Sequence, residues 1–336
     1  MSPASHQAGW NPIVFIMKIF RKIILASIFL PIIFFTLIYC GCKGNEKGAS
    51  LEAVKLNSEA IQLISARQYD AASEKLSRAV EIEPDDKTYV TNYAFALYHS
   101  GRFEEAVKQY DHALQIDPSD PLVYLDYAVC FESAGYYDEA LPLLLKAAEI
   151  GSGSSKFPDI LFELAACHEA IGNRAGAIST LRRLVGVAPR TEYFDNLGDL
   201  LRDDGDLPGA EEAYRSAISL SPQYTPAMNN LGLLLCTTGR RDEGRMLFLM
   251  VLERDPNNHA AHNNLAMELR DEGDIEGAVK EMRLAVDADP ENPLYHYHLA
   301  LILIDAGKRD EAKVELRTAL RIDPGFTDAE TALKNL

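Results

Sequence analysis

Thr191 to Pro222 reads TEYFDNLGDLLRDDGDLPGAEEAYRSAISLSP, and this stretch decides the fold. Phe194, Leu197, Gly198 and Leu201 fall on one stripe of a 3.6-residue helix, and Ala210, Tyr214 and Ala217 fall on a stripe of a second. Gly205 sits between the two stripes, where a helix ends in a residue of positive φ. Pro222 stops the second helix and restricts the residue before it. The small residues Gly198 and Ala210 let the paired helices approach closely.

Working outward, the same frame returns about every 34 residues, the period of a helix-turn-helix solenoid. Pro84, Pro118, Pro189, Pro222, Pro256, Pro290 and Pro324 mark repeat ends, and Ser152 stands where one proline is missing. Numbering each repeat so that the proline is at place 32, place 15 is Gly101, Gly135, Gly172, Gly205, Gly239, Gly273 and Gly307. Place 20 is Ala72, Ala106, Ala140, Ala177, Ala210, Gly244, Ala278 and Ala312, with no large side chain. From about Ala53 to Pro324 these residues resemble the tetratricopeptide repeat family, with Phe194 at the place of the family's early tryptophan.

The expected fold is all-α, a right-handed superhelical solenoid of about eight repeats over residues 53–326. Thr327 to Leu336 begins another first helix and is expected to cap the last repeat, over 327–336. Gly151-Ser152-Gly153-Ser154-Ser155 adds residues after the third repeat, so a joint is expected at 151–157.

The N-terminus has a different composition. Met17 to Lys22 is basic and Ile23 to Tyr39 is almost wholly apolar, followed by Cys40-Gly41-Cys42. Basic flank, apolar core and small-residue site make residues 1–42 an export signal or membrane anchor, with Met17 the expected true start. The Gly41-Cys42 junction looks like a bacterial lipoprotein site, which implies lipidation at Cys42, although Tyr39 replaces the usual leucine. An uncleaved helix over Ile23 to Cys42 is long enough to span a bilayer and stays open as the alternative. Release of the cleaved chain into solution is the third reading. Each places the repeats outside the cytoplasm, in the periplasm or at the outer membrane if the cell is Gram-negative, with 43–52 as a tether.

The net charge of -17 repels a phosphate backbone, so nucleic acid is not an expected partner. Cys130 and Cys167 hold equivalent places in neighbouring repeats, too far apart to bridge, and buried free thiols are expected. No nucleophile elbow, phosphate-binding glycine loop or zinc spacing appears, and no residues are left over for a catalytic domain. The expectation is therefore a non-enzyme with no cofactor, no metal and no small-molecule substrate. His262 and His296 share place 4, a packing position, and are read as structural or partner-contacting.

Residues of each first helix away from its packing stripe are expected to line a concave groove. In repeats two to four these include Phe95, Tyr98, Leu122, Leu125, Val129 and Phe162, which suit an apolar peptide or amphipathic helix, or else pack between repeats. In repeats five to seven place 6 is Asn196, Asn230 and Asn264, with Arg202 and Arg270 nearby. A row of amides can pair with an extended peptide backbone, and this one looks like the asparagine ladder of O-GlcNAc transferase repeats. Its other reading is pairing with neighbouring backbone. Place 5 holds no lysine, so the clamp that grips chaperone tails is absent. The expected function is a membrane-tethered scaffold or adaptor for protein or peptide partners, with pilus or secretion-pore assembly as its specific role. The alternative is an accessory that recruits a separate cell-wall hydrolase or transferase.

Overall fold

The computed structural model describes residues 51–336. The leader 1–42, Cys42 and the tether as far as Ser50 lie outside the described residues. Among the described residues there are helices and no strands, and no helix is long and apolar enough to cross a membrane. The described residues form two compact units, divided between Ala177 and Ile178.

The first unit holds α1 (Leu51–Ser65), α2 (Tyr69–Ile82), α3 (Lys87–His99), α4 (Phe103–Ile116), α5 (Pro121–Ser133), α6 (Tyr137–Ile150) and α7 (Phe157–Ala170). The boundary between the units falls inside α8 (Arg174–Val187). The second unit continues with α9 (Thr191–Asp204), α10 (Leu207–Leu220), α11 (Thr225–Thr237), α12 (Arg241–Arg254), α13 (His259–Glu272) and α14 (Ile275–Ala288). It ends with α15 (Pro293–Asp305), α16 (Arg309–Ile322) and α17 (Thr327–Lys334).

Within each unit consecutive helices pack as pairs, α1 on α2 and α9 on α10, as in a tetratricopeptide solenoid. First helices of successive repeats also touch, α3 on α5 and α11 on α13. The small-residue rule is visible as contact geometry. Ala72, Ala106, Ala140, Ala210, Ala278 and Ala312 have no exposed surface. A Cβ on Gly232 would lie 2.5 Å from Cε1 of Phe248, and one on Gly244 would collide with Cys236 Sγ. The missing side chain at Gly232 lets the Phe248 ring of the second helix lie against the backbone of the first, and the one at Gly244 makes room for Cys236.

The helix ends follow from local chemistry. Asp86, Asp120, Asp206, Asn258, Asp274 and Asn292 each accept a hydrogen bond from a first-turn backbone N–H, satisfying donors that the helix leaves open. All seven glycines at place 15 have positive φ, between 75° and 89°. The first repeat has Arg67 at this place, held at φ 58°, a conformation that costs a residue with a Cβ.

α17 closes the last repeat. Phe326 and Ala329 are buried in one cluster with Ala312, Leu316 and Ala319 of α16, while Leu333 and Leu336 pack on its margin. At the expected joint, Gly151 is buried, and a Cβ there would meet Ala147 O, Ile160 Cδ1 and Pro121 Cβ at 2.6–3.0 Å. The added residues form a turn, with Ser154 N–H donating to Gly151 O at 2.8 Å, and α7 packs on α6.

Candidate partner-binding face

In the first unit, Phe95, Tyr98, Leu122, Val129 and Phe162 are half-buried. Leu125 is buried, with 6% of its surface exposed, so its side chain supports the packing of neighbouring first helices. Of the two readings open for this position, a solvated site or packing between repeats, Leu125 takes the packed one. Phe95 lies 4.2 Å, ring to ring, from His99 and edge-on to Tyr69 at 6.4 Å. Tyr98 packs against the cluster built on Val90, Leu97 and Tyr110. Inter-repeat packing therefore takes up part of the expected apolar surface. Large exposed apolar side chains lie elsewhere, among them Met246, Leu249 and Met250 on α12.

A recurrent rung joins successive first helices. Place 6 of one repeat reaches back to place 5 of the repeat before it, 35 residues earlier. Asn92 Nδ2 donates to Asn57 Oδ1 at 2.8 Å, and Asn230 Nδ2 donates to Asp195 Oδ1 at 3.0 Å. His298 Nδ1 lies 2.7 Å from Asn263 Oδ1. Burial pulls the His298 ring down to about 4, so it is neutral and donates from Nδ1.

Two rungs in the same register are not closed. Asn229 Nδ2 turns to Asn258 Oδ1 at 3.2 Å, leaving Asn229 Oδ1 buried without a partner, while Asn264 accepts from Asn263 Nδ2 at 3.1 Å. Thr91 Oγ1, in register with Asp126, is likewise buried without a partner. Burial pushes the Asp126 carboxyl up to about 7. Asn196 is half-buried, and its side chain makes no hydrogen bond among the described residues.

Asp195 and Asp199, one turn apart on α9, form the most polar part of this face. Each is 7% exposed. Asp195 accepts from Asn230 and from Tyr224 Oη at 3.3 Å; burial, with Asp199 beside it, pushes its carboxyl up to about 7. Asp199 accepts from Tyr214 Oη at 2.7 Å and pairs with Arg202 at 3.1 Å. Arg202 also pairs with Asp203 at 3.1 Å, and Arg270 Nε donates to Asp305 at 2.5 Å. Both arginines expected beside a ligand therefore already hold acidic partners within the array.

Sequence reasoning did not find the acids that engage the place-4 histidines. His262 Nδ1 lies 2.7 Å from Glu281 Oε2 and its Nε2 2.9 Å from Pro256 O. His296 repeats this with Glu315 at 2.6 Å and Pro290 O at 3.0 Å. The signal was present as an identical spacing of 19 residues between histidine and glutamate in both repeats. Among the described residues no group of three or more His, Cys, Asp and Glu is arranged to hold a metal. Cys130, Cys167 and Cys236 are free and buried, and burial pushes each thiol up to about 12, so none is a thiolate at neutral pH.

Stacked antiparallel helix pairs with surface-lining first helices define an all-α repeat protein of the kind that serves as a scaffold for protein–protein contact. The chain belongs to the tetratricopeptide repeat family. Tetratricopeptide repeat patterns match residues 63–125, 100–155, 201–267 and 269–336, and a second pattern of the same description matches 168–225. No curated protein matches the sequence.

Solved structures share the fold. The C-terminal part of a TPR repeat-containing protein from Cytophaga hutchinsonii superposes with a TM-score of 0.54 at 16% identity, over 72% of this chain and 99% of that one. A tetratricopeptide repeat protein from Parabacteroides merdae gives 0.51 at 16% identity, over 85% and 98%. The APC/C hetero-tetramer Cut9-Hcn1 gives 0.51 at 17%, over 83% of this chain and 55% of that one.

Proposed function

We propose that this chain is a membrane-tethered, extracytoplasmic adaptor that holds an extended segment of a partner protein along its first-helix groove. One observation carries the reading. Asn196 and the Nδ2 of Asn264 stay without an intramolecular hydrogen-bond partner on a face where comparable amides are closed into rungs. An amide both donates and accepts, so it can pair with a peptide backbone without selecting side chains. The acidic body favours a neutral or basic partner segment. The basic flank, apolar run and Cys42 of the N-terminus support tethering, as a lipoprotein. Assembly of a pilus or secretion pore is the specific role proposed first, because it needs a tethered, non-catalytic adaptor.

The test is capture of partners by the tethered full chain, compared with Asn196→Ala/Asn264→Ala. Recovery of an envelope pore component that the double variant loses supports the reading. Recovery of a cell-wall hydrolase or transferase would assign an accessory role to the same groove. Undiminished capture by the double variant would remove the amide face from the mechanism. Separately, Cys42→Ala should abolish lipid labelling and release the protein, and unchanged labelling would exclude Cys42 as the lipid-bearing residue.

A further inference from the structure

Both nitrogens of the His296 ring face acceptors. The Pro290 carbonyl can only accept, and the ionised Glu315 carboxylate can only accept. Satisfying both contacts takes one proton more than a neutral ring and an ionised carboxylate carry together. Carried on the imidazole, that proton lets the ring donate from both nitrogens. Without it, an imidazole lone pair confronts either the Glu315 carboxylate at 2.6 Å or the Pro290 carbonyl at 3.0 Å, according to the tautomer, with the ring only 7% exposed.

The contacts also join three elements. His296 is on α15, Glu315 is on α16, and Pro290 is in the connection after α14. His262 makes the same three-way junction from α13 to Glu281 on α14 and to the Pro256 carbonyl after α12. The two junctions share α14, which carries Glu281 and leads into Pro290.

We infer that His296 is a proton-dependent staple that holds the last helix pair against the connection after α14 and releases that seam as the pH rises. The charged groups acting on the His296 ring are Glu315 and Arg321, both on α16; the connection after α14 contributes the Pro290 carbonyl. The hydrogen bond to the Glu315 carboxylate raises the ring above the ordinary histidine value, outweighing burial and the opposing Arg321 charge. The sign follows. A group whose folded value is raised contributes fully below its unfolded value, and the contribution is lost as pH climbs through the folded value. The staple is thus closed below about pH 6.5 and opens on the alkaline side of it.

The experiment is hydrogen exchange of the full chain, corrected for intrinsic rate, across that range. Protection of α15 and α16 in the wild type should fall by roughly tenfold as one charge-assisted hydrogen bond is lost. Glu315→Gln supplies a side-chain N–H that a neutral ring can accept, so its protection should stay level with pH. A level wild-type profile, or a Glu315→Gln profile that titrates like the wild type, would overturn the proposal. The ring itself is a second readout on the unmodified protein. A His296 NMR titration midpoint above the ordinary value is expected, and one at or below it refutes the staple.

Discussion

A Cβ built on Gly198 falls 2.5 Å from Cε1 of Tyr214, so the first and second helices of this repeat meet through a glycine and the face of a tyrosine. Tyr214 is wholly buried there and donates to Asp199. The ring cannot retreat without breaking that hydrogen bond. Gly198→Ala should therefore destabilise the second unit by about 1–3 kcal/mol, the range for overpacking a core. A urea midpoint lowered without a change in slope would show it, and an unchanged midpoint would mean that the helices separate freely.

Arg67 should be improvable. It occupies the place that seven glycines fill elsewhere, at φ 58°. Arg67→Gly relieves a left-handed conformation that costs about 1–2 kcal/mol for an L-residue, partly offset by glycine's extra freedom in the unfolded chain. A net gain of roughly 0.5–1 kcal/mol is expected, visible as slower exchange in α1 and α2.

Asp195 makes the second unit sensitive to pH in the opposite way from a paired carboxylate. Burial and Asp199 hold its carboxyl up at about 7, well above the unfolded value. The folded state therefore holds the proton longer, and stability falls as pH rises from about 4 to about 7. Asp195→Asn keeps an oxygen to accept from Asn230, turns its amide nitrogen toward Tyr224 Oη, which can accept, and cannot ionise. It should raise stability by the order of 1 kcal/mol at alkaline pH and flatten that slope. Melting curves at several pH values check this, and a parallel wild-type and variant profile would contradict it.

The rung between Asn57 and Asn92 should couple the first two repeats. A double-mutant cycle with alanine at both positions is expected to give an interaction energy of about 0.5–1.5 kcal/mol. Zero coupling would reduce the rung to a surface contact.

Leu125→Glu should destabilise the first unit rather than weaken partner capture, because the position is 6% exposed and an unpaired charge would be buried. A loss of several kcal/mol in chemical denaturation is expected. Phe162→Glu is the better test of the apolar face, since Phe162 is half-buried.

Much of the fold was legible because its determinants are local and periodic. Gly205 ends α9 through its own φ, and Asp206 caps α10 through a bond to Gly209 N–H three residues on. Such choices need no distant partner, so the period exposes them. Arg67 was the exception, a non-glycine forced into the glycine conformation by the repeat around it. The face was less legible. Place 6 reads Asn196, Asn230 and Asn264 in sequence, yet Asn230 is bonded to Asp195 across a seam while Asn196 is open.

What the sequence alone determined is the helix pair, its turn and its repetition, and with them membership of the tetratricopeptide repeat family. The tertiary structure decided which side chains remain available. Availability depends on the register between first helices 35 residues apart, and on whether a given pair can reach one another across it. Asn92 reaches Asn57, whereas Asn229 turns to Asn258. Helix periodicity places these amides on one face; only packing between repeats determines which are closed to a partner.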